Sequence, residues 1–436
     1  MVEQSATLWK SVGRLPDNER LHGCAKEPRV LAEFAGLTPA QRRAFIASLA
    51  GWSLDAFDFF VFVLCLPTLA KQFHVDIKTA SQGIFLTLAF RPLGSLCFGW
   101  LAERFGRKPV LMLNVLSYSL MQLATAFAPS LTVLLVMRAA FGFAMGGEWG
   151  VGAALALESL PARGRGLFSG LLQSGYSIGY LLASLVFALA FVYVGWRGMF
   201  LIGATPALLV YYVRRGVHES PAWLAARRTP RPQAGSRWRA ARAHLPRLAY
   251  LVVLMACFNA FSHGSQDLYP TFLQVQHHFS TSVTGGIAII MNVGALTGGV
   301  LFGSLSERLG RKRAIMLAAA LALPLIPLWA LSSTMLALAV GGFLMQLTVQ
   351  GAWGIVPAHL SELSPPSVRA ILPGFAYQLG NLAMSRMSPF QAGAAESLGG
   401  NYAVVLAGTI AVVAAALIVV TALGKQAPGG ELEVSR

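Results

Sequence analysis

The 436-residue chain has little charge, because Asp, Glu, Lys and Arg together make up 12% of it. Soluble domains carry about 25%. Hydrophobic residues reach 55% and the mean hydropathy is +0.60. So few charges cannot cover the surface of a soluble protein of this size. The composition instead predicts an all-α, polytopic membrane protein with room for twelve spans of about 20 residues each.

Cysteine is also scarce. The four cysteines are scattered and form no C-x-x-C pair, which excludes a disulfide framework or a zinc site, and no cofactor is expected. Residues 1–43 lack the apolar core of a signal peptide, so no cleavable signal peptide is expected. H-E-x-x-H, a nucleophile elbow and a phosphate-binding loop are all missing, and the sequence therefore does not predict an enzyme.

Twelve apolar segments can be recognised, with a polar stretch at 215–247 after the sixth. They lie near 45–69, 80–102, 109–128, 131–156, 166–192, 197–214, 248–274, 282–304, 313–332, 335–358, 368–394 and 402–423. This pattern predicts a tail at 1–43, a six-helix half at 44–214, a basic linker at 215–247, a second half at 248–423 and a tail at 424–436.

The formal charge of +16 does not indicate nucleic-acid binding, because the basic residues lie between apolar segments. Arg104, Arg107 and Lys108 follow the second segment, and Arg311 and Lys312 follow the eighth. Loops rich in Lys and Arg stay in the cytoplasm. We therefore expect both termini and the linker to be cytoplasmic, in a plasma (inner) membrane.

An internal repeat supports two halves of six helices. The stretch Gly99-Trp-Leu-Ala-Glu-Arg-Phe-Gly-Arg-Lys108 returns 204 residues later as Gly303-Ser-Leu-Ser-Glu-Arg-Leu-Gly-Arg-Lys312. The same offset relates Trp149 to Trp353, Glu158 to Glu362 and Asp55 to Asn259. Because each half has an even number of spans, the repeat is parallel.

These paired loops, G-x-L-x-[DE]-R-x-G-R-[KR], resemble the signature of the major facilitator superfamily. The resemblance implies the twelve-helix major facilitator fold and a gate built from Glu103, Arg107, Glu307 and Arg311. A carboxylate there can accept hydrogen bonds from loop arginines and from N–H groups at a helix end. Anchoring by positive charge alone is the simpler alternative.

The fourth segment resembles a second superfamily motif, R-x-x-x-G-x-x-x-G, with Arg138, Gly142 and Gly146 at its three specified positions. The glycines allow close helix packing. Arg138 needs an acidic partner inside a membrane, and Asp55 and Asp58 are the candidates. In similar family members such a pair exchanges a proton during transport, whereas a static ion pair is the structural alternative.

The seventh segment carries a polar stripe formed by Asn259, Ser262, His263, Gln266 and Asp267. These residues recur at spacings of three and four and so share one helix face. The stripe could join two helices, but an ionisable His and Asp at bilayer depth favour a path for substrate or protons.

The motif N-x-x-[ST]-H-x-[ST]-Q-D-x-x-x-T around this stripe resembles that of lactate and pyruvate permeases in the sialate:proton symporter family. We expect Asn259, His263 and Gln266 to bind substrate and Asp267, Asp58, Asp55 and Arg138 to couple protons. Tyr377-Gln378-Leu-Gly-Asn381 in the eleventh segment and Arg91 in the second also match this family.

A small carboxylate needs a fixed cation in a dry site, and a guanidinium binds it in a fork. Arg91 is the candidate, with an ion pair to Asp58 or Glu148 as the alternative. Gln378 and Asn381 would contact the oxo or hydroxy group, unless they only join helices. Glu148 is a further proton-carrier candidate, and Arg386 is expected to pair with Glu396.

The sequence therefore predicts a proton-coupled symporter, working as a monomer in the lipid bilayer, that imports small monocarboxylates such as L-lactate or pyruvate. Sialic acid uptake on the same scaffold is one alternative. A carboxylate sensor that does not transport is another, although the short tails argue against it.

Overall fold

The computed structural model describes residues 34, 36–160, 168, 171–205, 207–220, 223–224, 245–364 and 372–424. The chain divides into a short unit, Met1–Leu37, and a main unit, Thr38–Arg436. Of the short unit, the structure describes Phe34, Gly36 and Leu37. The described residues form helices and turns, with no strand among them.

The α-helices of the main unit follow one another along the chain. They are α1 (Pro39–Gln72), α2 (Ile77–Ala80), α3 (Gln82–Phe105), α4 (Arg107–Ala126), α5 (Leu131–Ser159), α6 (Gly175–Ile202), α7 (Ala207–Gly216), α8 (Leu245–Gln266), α9 (Tyr269–Val275), α10 (Thr281–Leu309), α11 (Arg311–Ala322), α12 (Ile326–Ala330), α13 (Met335–Leu363), α14 (Leu372–Met384), α15 (Met387–Ser397) and α16 (Tyr402–Leu423).

Ten stretches of the described residues are long and apolar enough to cross a membrane. The other two predicted spans are present as interrupted helices. The sixth begins within α6, beyond a break at Gly195 where φ is 63° and ψ is −175°, and continues in α7. Glycine adopts this backbone conformation without strain. The eleventh is divided into α14 and α15 at Ser385 and Arg386.

Large apolar side chains cover much of the outer surface. Leu189, Leu336 and Val412 are examples, each at least 66% exposed. In water such a surface would be unfavourable, whereas lipid tails solvate it, and helices are one of the few structures that satisfy their backbone groups there. This is an all-helical membrane protein.

The first and seventh spans also differ from the sequence prediction. α1 begins at Pro39, inside the predicted tail, because Thr38 and Gln41 form a reciprocal capping box and Pro39 occupies the first turn. The predicted single helix 248–274 is divided at Asp267 and Leu268 into α8 and α9. Most of the predicted linker 215–247 and tail 1–43, and residues 425–436, lie outside the described residues.

The internal repeat has a direct counterpart in helix packing. A Cβ added at Gly94 on α3 would lie 1.7 Å from the carbonyl oxygen of Phe143 on α5. In the second half, a Cβ added at Gly298 on α10 would lie 2.0 Å from that of Leu347 on α13. Both pairs are related by the offset of 204, so each half uses the same glycine-mediated approach of two helices.

The two halves touch at the end of the bundle opposite the basic loops. Ser282 Oγ on α10 donates to the carbonyl of Ala188 on α6 at 3.1 Å, and Gln274 Nε2 on α9 donates to that of Leu64 on α1 at 3.4 Å. Between the halves, the middle of the bundle contains a buried polar region.

Candidate functional site

Arg91 lies at the centre of this region and its side chain is fully buried. Its guanidinium carbon is 5.9 Å from the centre of the Trp52 ring on α1 and 5.6 Å from that of Tyr377 on α14. One ring comes from each half. Nε and Nη2 of Arg91 have no hydrogen-bond partner among the described residues, and the alternative ion pair with Asp58 or Glu148 is not formed. The two donors are therefore available to a carboxylate.

Three buried carboxyl groups lie in the same half as Arg91. They belong to Asp55 and Asp58 on α1 and to Glu148 on α5, and none of their six oxygens accepts a hydrogen bond from any described residue. Arg91 and Arg138 are near enough to act electrostatically on Asp55. A buried carboxylate without donors is far more costly as an anion than as a neutral acid. Such a cluster is suited to taking up and releasing protons.

Arg138 does not form the ion pair predicted for it. Its Nε donates to Thr87 Oγ1 and its Nη1 to Gln122 Oε1, both at 3.2 Å. The rings of Phe62 and Phe141 lie 4.8 and 4.2 Å from its guanidinium carbon. Neutral acceptors and aromatic faces thus satisfy most of this cation in place of Asp55 or Asp58.

The polar stripe of α8 faces the other half of the protein. Nδ1 of His263 lies 3.0 Å from Oδ2 of Asp267, as expected of side chains four residues apart. Ser388 on α15 donates to the same carboxylate oxygen at 3.1 Å. The His263 ring also packs edge-on against Phe59 of α1 at 5.9 Å between centroids. The pair therefore lies where the halves meet, at the break between α8 and α9.

Gln266 connects this stripe to the first half. Its Nε2 donates to the hydroxyl of Tyr176 on α6 at 3.1 Å and to Ser262 Oγ at 3.0 Å. Gln350 on α13 donates to Ser262 Oγ at 3.1 Å. Tyr176 in turn packs against Trp52, the ring beside Arg91, at 5.9 Å between centroids. A continuous set of contacts thus runs from Arg91 to Gln266.

The amide groups of Asn259, Gln378 and Asn381 form most of their hydrogen bonds within their own helices. Asn259 Nδ2 donates to the carbonyl of Met255, one turn earlier on its own helix. Asn381 Nδ2 donates to Gln378 Oε1 at 3.3 Å, and Gln378 Nε2 donates to the carbonyl of Gly146 in the other half at 3.5 Å. Oδ1 of Asn259 and of Asn381 are buried without a partner among the described residues.

A cavity of about 120 Å³ lies between this polar region and the basic loops. Helices from both halves line it, with Trp149, Ala153, Leu172, Gln173, Met255, Trp353, Val356, Pro357, Leu360, Pro373 and Tyr377. A smaller space of about 10 Å³ adjoins it, bordered by Gln173, Tyr176, Asn259, Ser262, His263, Gln350, Trp353 and Tyr377. Together the two spaces extend from the polar stripe of α8 and from Tyr377 toward the end of the bundle that carries the basic loops.

The sequence profile of the Major Facilitator Superfamily matches residues 49–296 of this chain. The profile described as sugar (and other) transporter matches residues 248–422. The chain belongs to the Major Facilitator Superfamily. Solved structures similar in fold to this facilitator include that of the xylose transporter XylE from E. coli in a partially occluded inward open conformation, with a TM-score of 0.73, 18% identity and coverage of 91% of this chain and 100% of that one.

Two curated relatives are transporters as well. The carboxylic acid transporter protein homolog of Saccharomyces cerevisiae is 31% identical over 80% of this chain, which spans only 60% of the length of that relative. The sialic acid transporter NanX of Escherichia coli is 29% identical over 80% of this chain and 86% of its own length. The facilitator is thus a transporter-type membrane protein and not an enzyme.

An ion pair to a neighbouring helix anchors each basic loop of this facilitator. Arg107 Nη2 lies 3.3 Å from Glu158 Oε1, and Arg311 Nε lies 3.1 Å from Glu362 Oε1. These two ion pairs are equivalent in the repeat. Glu103 and Glu307 precede their loops on exposed helix faces, whereas Glu158 and Glu362 lie near the ends of the helices packed beside the loops.

Glu219, which the sequence reasoning missed, caps α4 at the same end. Its Oε1 accepts from the backbone N–H of Arg107 at 2.9 Å and its Oε2 from that of Lys108 at 3.2 Å. A carboxylate at a helix N-terminus is stabilised by the free N–H groups and by the helix dipole. The motif G-x-L-x-E-R-x-G-R-K gave no signal for it, because Glu219 lies more than a hundred residues later.

At the opposite end, Arg386 and Glu396 do not pair as predicted. The Arg386 guanidinium lies over the ring of Phe85, 4.6 Å from its centre, and Glu396 Oε1 accepts from the backbone N–H of Lys78 at 3.0 Å. Both contacts cross between the halves. Asp76 caps the adjoining helix α2 by accepting from the Thr79 N–H, and hydrogen bonding from the side chain of Thr79, together with this backbone N–H, lowers the pKa of Asp76.

Proposed function

We propose that this facilitator imports small organic monocarboxylates together with protons, by alternating access of one central site to the two sides of the membrane. L-lactate and pyruvate are the proposed substrates. The protein would act as a monomer in the plasma (inner) membrane with both termini in the cytoplasm, as the distribution of basic loops favours.

The environment of Arg91 is the observation that carries this proposal. A buried guanidinium with two unpartnered donors, held between one ring from each half, is suited to bind a carboxylate in a fork. Because Trp52 and Tyr377 belong to different halves, a substrate on Arg91 would be in contact with both. When the two halves rock around the bound substrate, the site would open to one side of the membrane and then to the other.

Proton coupling follows from charge and from the unpaired acids. A carboxylate entering against a negative-inside potential is opposed by about 2.3 kcal/mol per 100 mV, and one accompanying proton removes this cost. Substrate on Arg91 competes with the attraction between Arg91 and Asp55, and so changes the proton affinity of the acid cluster. The proposed carriers are Asp55, Asp58 and Asp267, with His263 and Arg138 assisting.

The size of the cavity favours a small acid over sialic acid. An apolar cavity of about 150 Å³ holds one benzene ring, and the cavity here is about 120 Å³. Sialic acid is much bulkier and polyhydroxylated, and it would need more hydrogen-bonding groups than this lining offers. The name of the yeast relative supports a carboxylic acid as substrate, and the name of NanX keeps sialic acid as the second candidate.

Uptake of labelled L-lactate, pyruvate and sialic acid into proteoliposomes tests the proposal. An imposed gradient, acidic outside, should drive accumulation of lactate and pyruvate above the external concentration, and protein-free liposomes correct for diffusion of the neutral acids. Accumulation of sialic acid alone would select the second candidate. Uptake of none of the three would reject both.

A further inference from the structure

Gln122 on α4 lies between the acid Asp58 and the cation Arg138, and its side chain is fully buried. Its Oε1 accepts from Arg138 Nη1 at 3.2 Å. Its Nε2 donates to the backbone carbonyl of Asp58 at 3.4 Å. A neutral amide thus occupies one donor of Arg138, in the position that a carboxylate partner was predicted to take.

The carboxyl group of Asp58 is next to this amide. A Cβ added at Gly203, just beyond α6, would lie 2.5 Å from Asp58 Oδ1 and 2.7 Å from Gln122 Nε2, so both atoms border the same small space. Neither oxygen of Asp58 accepts a hydrogen bond from any residue that the structure describes, and Arg138 Nη2 likewise has no partner there. Asp58 and Arg138 are therefore neighbours whose charges are not paired.

The charge state of Asp58 depends on few other groups. Asp55 on the same helix and Arg138 on α5 act on it electrostatically, and Tyr118 on α4 is near enough to interact with it as well. Gly203 beyond α6 brings no side chain. Since Asp55 carries the same sign of charge, Arg138 is the neighbour that favours the anion of Asp58. How firmly Gln122 holds Arg138 therefore affects how readily Asp58 takes a proton.

This cluster is confined to the first half of the protein, although the helix packing around it is repeated. At the offset of 204, the polar residues Asp58, Thr87, Gln122 and Arg138 correspond to Ser262, Met291, Ile326 and Gly342. The same offset does retain the close glycine contacts and the ion pairs of the basic loops. The second half is thus built on the same scaffold without these side chains, which favours a role in transport over one in packing.

We infer that Gln122 is a positioning residue of the proton step, which holds Arg138 apart from Asp58 while Asp58 is protonated and yields Arg138 to Asp58 when the proton leaves. A carboxylate that accepts from a guanidinium is favoured as the anion, and a buried one without donors is favoured as the neutral acid. The proton passes to water on the side to which the site is open, and no other covalent bond changes. The inference rests on the proposed function, in which Asp58 is one of the proton carriers.

Two substitutions of Gln122 should change the proton affinity of Asp58 in opposite directions. Gln122→Met keeps the length of the side chain but removes the amide acceptor, so Arg138 turns to Asp58 and favours its anion. Gln122→Glu holds Arg138 more firmly and adds a negative charge beside Asp58, so the neutral acid is favoured. Disturbed packing alone would not produce shifts of opposite sign.

Infrared difference spectroscopy of the full-length protein in liposomes measures this proton affinity without substrate. The C=O stretching band of the protonated Asp58 carboxyl group is followed against pH and is assigned by its loss in Asp58→Asn. Its midpoint should fall by about one pH unit in Gln122→Met and rise by about one pH unit in Gln122→Glu. Thr125→Val is the matched control, because Thr125 is buried one turn further along α4 and its Oγ1 donates only to the carbonyl of Met121. Its midpoint should equal that of the wild type.

The pH dependence of labelled lactate uptake, at fixed internal pH, should move with the infrared midpoint. Unchanged midpoints in both Gln122 variants, shifts of the same sign, or uptake that does not follow the shifts would overturn the inference. If Gln122→Met does not fold, Gln122→Glu decides alone, because an unchanged or lower midpoint would contradict the inference. Opposite infrared shifts in a protein that takes up no lactate would instead reject the proposed function and leave the exchange of partners at Arg138 standing.

Discussion

Gln266 and Tyr176 are joined by a 3.1 Å hydrogen bond that crosses from one half of the protein to the other. Both side chains are buried, and each is also part of a larger cluster. Gln266 shares Ser262 with Gln350, and Tyr176 packs against Trp52 beside Arg91. A bond at this position reports on the conformation, because rocking of the halves changes the distance between α6 and α8.

Tyr176→Phe should therefore shift the conformational equilibrium away from the arrangement described here. The ring is kept and one hydrogen bond of about 1 kcal/mol is lost, which corresponds to roughly a fivefold change in population. Distances between spin labels at Val192 and Leu336, one in each half, would record the shift. Identical distance distributions in wild type and variant would mean that the bond does not help to hold the halves.

The glycine contacts between helices predict a sharp positional effect. Gly94→Ala should greatly reduce the yield of folded protein, because the added methyl group would meet the backbone oxygen of Phe143, which cannot move aside as a flexible side chain could. Gly99→Ala on the same helix is the control, with nothing within 4 Å of the added atom. Size-exclusion profiles and Tm values of both variants would check this. Equal yields would contradict the packing of α3 on α5.

Arg91→Lys should be nearly as harmful to lactate uptake as Arg91→Ala. A lysine keeps the positive charge but loses the fork and the planar contact with Trp52 and Tyr377. A charged hydrogen bond is worth about 1.5–3 kcal/mol, so the KM should rise by about tenfold or more. Arg104→Lys, in the exposed last turn of α3, is a suitable control. Near-normal affinity in Arg91→Lys would show that Arg91 does not bind the carboxylate.

Much of the fold and part of the site could be predicted from the sequence. Hydropathy and the repeat located the spans, because membrane helices must be apolar over about 20 residues. The i, i+4 spacing predicted the contact of His263 with Asp267. The break after Gln266, the partners Tyr176, Gln350 and Ser388, and the capping by Glu219 could not be predicted, because they depend on which distant helices pack together.

The errors have a common physical origin. Arg138 was expected to pair with Asp55 or Asp58 from charge alone, but Gln122 and Thr87 accept from two of its nitrogens and two phenylalanine rings face it, while its Nη2 has no partner among the described residues. Sequence patterns show which residues share a helix face. They do not show which of several possible partners on a neighbouring helix is within reach.

Asp267→Asn should separate coupling from substrate binding. The substitution removes the charge and leaves a side chain that can still contact His263 and Ser388, so the protein should fold with a nearly unchanged Tm. We expect loss of lactate accumulation driven by a pH gradient, with exchange of internal for external lactate retained. Normal accumulation in both Asp267→Asn and His263→Ala would show that the polar stripe only holds helices together.

The central claim is that substrate and proton move together, and simultaneous recording of both fluxes tests it most directly. Labelled lactate uptake and internal pH would be followed in the same proteoliposomes, with the membrane potential clamped at zero and then set negative inside, and with protein-free liposomes subtracted. We predict one proton entering per lactate, with a rate that does not depend on the potential. Lactate uptake without internal acidification, or uptake abolished by a negative potential, would contradict the account.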